Sequence, residues 1–109
     1  MRTLEYHVLL ALASGTLHGY AIKDVVARES GGAVMPRAGS MYRVIARLMS
    51  LGLVIETEPD ETPEPHPGQP RRCYMLTPRG RTALSAEARR LSRAAAMATR
   101  RLGAAEGRS

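Results

Sequence analysis

Apolar residues recur along the chain at the spacing of amphipathic helices, and two short strand-like runs interrupt them once. Gly52 and the pair Thr77-Pro78 mark a helix end and a helix start. Residues 59–70 include five prolines and predict an extended loop, because proline interrupts helices and interior strands. The pattern predicts four helices and two strands, with helices over residues 3–13, 19–29, 40–51 and about 79–102, and strands over 53–58 and 71–76.

The first predicted helix, Thr3–Ala13, is apolar most of the way round. A helix with this pattern is normally covered on both sides. We expect one side to pack within its own domain. The other side needs a partner, and we expect Leu4 and Val8 to contribute to that contact.

The third predicted helix has two different faces. One face is apolar, through Met41, Val44, Ile45 and Leu48. The other face is a serine–arginine stripe without an acidic residue, formed by Ser40, Arg43, Arg47 and Ser50. Two interpretations fit the stripe: an ordinary solvated surface, or a surface that lies against a negatively charged partner.

The order helix, helix, helix, strand, strand, helix is that of a winged helix-turn-helix. The predicted fold is therefore mainly α with a small β-hairpin, followed by a further C-terminal helix. We place the winged helix-turn-helix domain at residues 1–76, the C-terminal dimerisation helix at 77–103 and a disordered tail at 104–109.

The last helix carries apolar residues at alternating spacings of four and three, which is typical of a coiled-coil seam. Two uses are open: the helix packs on its own domain, or it packs on the first helix of a second subunit. A chain of 109 residues often completes its apolar burial against a second copy. This C-terminal seam consists of Leu84, Ala88, Leu91, Ala95, Ala98 and Leu102.

Charge is unevenly distributed. The net charge is +6, and fifteen of the sixteen basic residues are arginine, which suits two-point contact with phosphate. Residues 55–70 hold five acids and no Lys or Arg, whereas residues 71–109 hold ten arginines and two glutamates. The acidic loop either points away from a nucleic acid or screens the basic surface when none is bound.

Several classes of protein are disfavoured. The single cysteine, Cys73, excludes an intrachain disulfide, and the three scattered histidines match no zinc spacing. No nucleophile, base and orienting group occur together, and no glycine-rich phosphate loop precedes a lysine. We therefore expect no enzyme activity, cofactor or metal. No signal peptide and no apolar run near eighteen residues are present, so we expect a cytoplasmic protein without a membrane contact.

Three segments in order resemble the PadR family of bacterial transcriptional regulators, in the short form with one C-terminal dimerisation helix. The resemblance covers about residues 4 to 102. One departure is Ala38, where similar proteins often have proline before the glycine. The residues that carry the resemblance are Leu17-His18-Gly19-Tyr20 with Ile22, then Gly39-Ser40-x-Tyr42 with Leu48 and Gly52-Leu53, then Tyr74-x-Leu76-Thr77-Pro78-x-Gly80-Arg81.

The resemblance implies a homodimer that binds a two-fold symmetric DNA operator and usually represses transcription. It also implies that helix 40–51 enters the major groove and that hairpin 53–76, the wing, touches the flanking backbone. The residues that we expect at the DNA are Lys23, Arg37, Ser40, Tyr42, Arg43, Arg47, Arg71 and Arg72.

Individual residues keep two interpretations. Tyr42 either packs in the core or reaches a phosphate through its hydroxyl. Lys23 is a phosphate contact or a surface charge, and His18 supports the fold or reaches phosphate. A small-molecule effector of unknown identity is compatible with the family. The alternative function is a winged-helix module for protein–protein interaction without specific DNA binding, which would leave the serine–arginine stripe unexplained.

Overall fold

The computed structural model describes residues 1–57 and 72–107, with side chains through residue 104. Its elements confirm the predicted mainly helical fold with a small antiparallel sheet. They are α1 Thr3–Leu12, β1 Leu17–His18, α2 Gly19–Glu29, α3 Ala38–Ser50, β2 Val54–Thr57, β3 Cys73–Leu76 and α4 Pro78–Gly107.

Helix α1 is the centre of the domain. It packs against α2, α3, α4 and β3, so its own chain covers both of its sides. Val8 and Leu9 are fully buried in the core. The expectation that Val8 contacts a partner is therefore corrected, because its side chain is enclosed within its own subunit. Leu4 lies half-buried at the edge of the core, and Leu10 is the one large apolar side chain of α1 that is exposed.

Helix α3 ends at Ser50, and the glycine that the sequence indicates, Gly52, closes its C-terminus. Gly52 has φ +76°, and the N–H groups of Gly52 and Leu53 donate to the carbonyls of Met49 and Leu48 at 3.0 and 2.9 Å. This pair of bonds is a Schellman motif. The helix begins at Ala38, two residues before the predicted start, and Arg37 is its N-cap residue.

The sheet has three strands rather than the predicted two. Its order is β1-β3-β2, with both pairs antiparallel. The additional strand, β1, pairs Leu17 with Tyr74 and His18 with Cys73. It ties the start of α2 to the second strand of the wing. The predicted loop over residues 59–70 lies outside the described residues, together with both proposals for its acidic side chains.

Helix α4 begins at a side-chain cap and packs closely on the wing. The hydroxyl of Thr77 accepts the N–H of Gly80 at 2.9 Å and donates to the carbonyl of Gly52 at 2.6 Å. Gly80 lies against the carbonyl oxygen of Leu53, where a Cβ would collide with it. A glycine at this position therefore lets α4 start against the backbone that leads into β2.

Only the first part of α4 belongs to the domain core. Ala83 and Leu84 pack on it, and Glu87 is buried and paired with Arg90 through bonds of 2.7 and 2.9 Å. The hydrogen bonds from Arg90 lower the pKa of the Glu87 carboxyl. Every described side chain from residue 89 to 104 is exposed. The helix continues to Gly107, beyond the predicted end near Leu102. Residues 108–109 of the predicted tail lie outside the described residues.

Candidate nucleic-acid interface

The outer face of α3 carries Arg43 at its centre. Its buried face, formed by Met41, Ile45 and Leu48, holds the helix on the core. Arg43 points away from that face, is exposed, and donates from Nη2 to the Ser40 hydroxyl at 3.5 Å. Residues three apart on a helix lie on one side, so this bond belongs to the predicted serine–arginine stripe.

At the end of the stripe, the Ser50 hydroxyl donates to the carbonyl of Arg47 at 2.7 Å. The last serine is thus partly engaged with its own helix. Its oxygen still has lone pairs that can accept a further hydrogen bond.

The third polar residue of the stripe, Arg47, contacts a buried acid. Its Nε lies 3.5 Å from Oε2 of Glu5, which is on α1. The Glu5 side chain is 8% exposed and that of Arg47 is 64% exposed. A stripe that is free of acids along the sequence therefore has a carboxylate beside it in space.

Tyr42 lies on the flank of α3 that faces the wing. Its ring rests against the backbone of Gly19, and 43% of the residue is exposed. The ring packs on the start of α2 while the residue stays open to solvent, so the contact of its hydroxyl with phosphate stays a prediction. His18 is the residue before Gly19 and caps α2. Its Nδ1 accepts the N–H of Ala21 at 3.3 Å. This cap supports the structural interpretation of His18.

A groove separates α3 from the base of the wing. It is open to solvent and has a volume of about 410 Å³. On the wing side, Arg72 Nε lies 3.6 Å from Glu56 Oε1, and both side chains are largely exposed. The residues that line the groove are Tyr42, Ile45, Ala46, Met49, Glu56, Arg72 and Tyr74.

Tyr74 lies at the back of this groove, largely buried on β3. Its burial raises the pKa of its hydroxyl above the ordinary value of 10.0, and the negative charge of Glu56 adds to the shift. Arg72 acts in the opposite direction. The hydroxyl is therefore a neutral donor and acceptor at physiological pH.

The other predicted DNA contacts are more scattered. Arg37 is exposed at the N-terminus of α3, where free N–H groups favour an anion. Lys23 is half-buried on α2. Arg71 lies outside the described residues. The structure thus brings Arg37, the stripe, Tyr42 and Arg72 to one side of the domain around α3.

The C-terminal seam becomes steadily more exposed along α4. Leu84 and Ala88 are half-buried, Leu91 is 38% exposed and Leu102 is 65% exposed. Ala95 and Ala98, which lie between the two leucines, are also exposed. The distal apolar stripe has no cover from the described part of its own chain.

Sequence reasoning missed the two acids, Glu5 and Glu56, that approach the arginines of the interface. No local signal could have found them, because the ion pairs join different elements. The spacing between Glu5 and Arg47 depends on how α1 crosses α3. The contact between Glu56 and Arg72 depends on the register of β2 against β3, which places Glu56 opposite Tyr74.

Within residues 1–57 and 72–107, no helix is long and apolar enough to span a bilayer. No group of three or more His, Cys, Asp or Glu side chains in the same ranges is placed to hold a metal ion.

The three-helix unit, the small sheet and the exposed polar face of α3 define a winged helix-turn-helix protein. The sequence matches the PadR-like family of transcriptional regulators over residues 8–86. The chain belongs to this family. The predicted family is confirmed, and it is a family of transcriptional regulators rather than of enzymes.

Known proteins support this assignment at several levels. A PadR family regulator from Clostridium difficile superposes with a TM-score of 0.73 at 21% identity, over 93% of this chain and 99% of that one. A PadR-like regulator from Bacillus cereus superposes with a TM-score of 0.73 at 19% identity, over 91% of this chain and 90% of that one. These two show the shared fold.

Two relatives are longer than this chain. The Bacillus subtilis PadR structure in complex with operator DNA gives a TM-score of 0.64 at 25% identity, over 77% of this chain and 45% of that one. A 37.1 kDa transposon protein of Streptomyces fradiae is 40% identical over 86 residues. That match covers 79% of this chain and 22% of the relative.

Proposed function

We propose that the protein is a cytoplasmic repressor that binds a two-fold symmetric operator as a homodimer. The observation that carries this proposal is the exposed face of α3, where Arg43 and Ser40 stand opposite the buried row of the helix. A major groove is wide enough to admit an α-helix. An arginine at the centre of that helix can donate two hydrogen bonds to a guanine.

The wing supports the same orientation. Arg72 borders the groove beside α3, so a duplex that receives α3 brings a phosphate backbone close to it. Arg37 and the N-terminus of α3 offer a second phosphate site. The Bacillus subtilis relative was solved with operator DNA, which supports a duplex as the partner of this chain.

Homodimerisation is supported by the distal half of α4. An exposed apolar stripe with spacings of four and three suits a partner helix. Since α1 is mostly covered by its own chain, we propose that the partner packs mainly on α4, with the exposed Leu10 and the half-buried Leu4 of α1 as further contacts. Two copies of α3 would then read two related half-sites.

A salt titration with DNA tests the function. The probe is duplex DNA from the region upstream of the protein's own gene, compared with a scrambled duplex of equal composition. We expect tighter binding to the upstream duplex and a steep fall in affinity with salt, because each phosphate contact releases counterions. Equal and salt-insensitive binding to both duplexes would favour the protein–protein interaction module instead.

A further inference from the structure

Glu5 is a buried carboxylate at the edge of the proposed DNA-binding face. The residue is only 6% exposed. Its Oε1 accepts the backbone N–H of Arg2 at 3.3 Å, and its Oε2 lies 3.5 Å from Nε of Arg47. A buried carboxylate is costly unless a cation or hydrogen-bond donors accompany it. Glu5 therefore restrains the guanidinium of Arg47.

The contact leaves most of Arg47 available. A guanidinium has five N–H donors, and the closest approach of Arg47 to Glu5 is through Nε. The Arg47 side chain is 64% exposed, so its guanidinium is still accessible to a ligand. Arg47 lies on the flank of α3 away from Tyr42 and the wing, beside an open pocket that Glu5, Leu48 and Leu51 help to line.

The wing flank of α3 shows a matching arrangement. There Arg72 approaches Glu56 through Nε, at 3.6 Å, but that acid is 42% exposed. Arg43, at the centre between the two flanks, pairs with no acid of the described residues. Arg43 is therefore free of an acid, Arg72 has an exposed acid beside it, and Arg47 alone of the three has a buried acid beside it.

We propose that Glu5 is a positioning residue for DNA binding: it holds Arg47 through Nε so that the terminal nitrogens bind a backbone phosphate. This inference rests on the proposed function. A long side chain loses conformational freedom when it binds, and a preorganised side chain loses less. The charge of Glu5 does not oppose the phosphate strongly, because the guanidinium of Arg47 offsets it at 3.5 Å.

The test uses the full-length protein and a duplex that the wild-type protein selects from a random-sequence pool. Glu5→Gln removes the charge and keeps the size of the side chain. We expect an affinity loss of about threefold to tenfold, because Arg47 is no longer preorganised. We also expect the slope of log affinity against log salt to fall by about 0.9 for each phosphate that the variant no longer binds. A purely structural role would leave that slope unchanged.

Two companion variants isolate the mechanism. In an Arg47→Ala background, Glu5→Gln should have no further effect on affinity or slope. Arg47→Lys keeps the charge but has no Nε donor, so it should weaken binding even where Glu5→Gln folds poorly. The control is Glu29→Gln, which removes an exposed acid from α2 and should leave binding unchanged or slightly tighter.

The outcomes separate the inference from the function. If the wild-type protein binds with the expected salt dependence but Glu5→Gln binds equally or more tightly, the inference is overturned and the function stands. An equal loss from Glu5→Gln with and without Arg47 also overturns it. If the wild-type protein selects no duplex, the proposed function itself fails and the inference with it.

Discussion

The ring of Tyr42 lies directly on the backbone of Gly19, so that α3 touches the first residue of α2 without an intervening side chain. A Cβ at Gly19 would stand 2.9 Å from Cε1 of Tyr42 and closer still to its hydroxyl. The N–H of Gly19 donates to the carbonyl of Arg72 at 3.2 Å. This single glycine therefore joins α2, α3 and the approach to the wing strand.

Gly19→Ala should force Tyr42 away from α2. Overpacking of this kind costs about 1–3 kcal/mol of stability, and the displaced tyrosine should also weaken DNA binding. Chemical denaturation and a binding titration measure the two effects. Tyr42→Ala in the same chain should recover most of the lost stability by removing the collision.

The matched control is Gly103→Ala, because a Cβ there meets no atom within 4 Å. In a helix, this change should be neutral or stabilising, by up to about 1 kcal/mol. If Gly19→Ala proves as stable as Gly103→Ala, the ring does not rest on this glycine in solution.

The sequence predicted the elements whose signals are local. The bounds of α2 match the prediction, and α3 ends at Ser50, just before Gly52. Both helices could be delimited from the sequence because their ends depend on residues within one or two turns. The cap of α4 at Thr77 is local too. Such signals need no knowledge of the tertiary fold.

Long-range relationships could not be predicted in the same way. Strand β1 is only two residues long, and it exists because β3 pairs with it from more than fifty residues away. The burial of Val8 depends on how the other elements pack around α1, which helical periodicity does not reveal. The pairing of Glu5 with Arg47 follows from the same packing. The candidate site was therefore predictable as a set of arginines but not with the acids beside them.

Arg43→Ala should reduce sequence discrimination rather than general affinity for DNA. If Arg43 donates two hydrogen bonds to one guanine, its removal should cost about 1–3 kcal/mol against the preferred duplex and little against a scrambled one. Competition binding with single-base variants of the selected duplex measures this. A uniform weakening over all variants would instead assign Arg43 to the phosphate backbone.

Arg72→Ala is expected to weaken binding to every sequence alike, since a wing arginine contacts phosphate. The salt slope should fall by about 1 for each phosphate that is no longer neutralised. Glu56→Gln is the matched control: it frees the same arginine from its 3.6 Å partner and should not weaken binding. A change in base preference after Arg72→Ala would contradict the assignment of Arg72 to the backbone.

Tyr74 should ionise later than an ordinary tyrosine, because burial raises its pKa above 10.0. Absorbance of tyrosinate during an alkaline titration, compared between the wild-type protein and Tyr74→Phe, measures this shift. A group whose pKa is raised in the folded state contributes stability below its unfolded pKa, and that contribution is lost as pH rises through the folded pKa. Stability should therefore begin to fall above about pH 10, less so in Tyr74→Phe.

Two variants near Tyr74 should shift its pKa in opposite directions. Glu56→Gln should lower the pKa of Tyr74, since the carboxylate raises it, and Arg72→Ala should raise that pKa further. A late-ionising tyrosine that persists in Tyr74→Phe would show that a different hydroxyl carries the shift.

Ala95→Glu should dissociate the proposed dimer, because Ala95 lies in the middle of the exposed part of the C-terminal seam. A carboxylate there would be buried against the partner helix without a cation, at a cost of several kcal/mol per subunit. Its neighbour Ala96 is also exposed but lies off the seam, so Ala96→Glu introduces the same charge at a position that faces solvent. Sedimentation equilibrium should give a monomer for the first variant and a dimer for the second. Two dimers, or two monomers, would mean that the seam is not the interface, and Leu10 on α1 would be the next position to test.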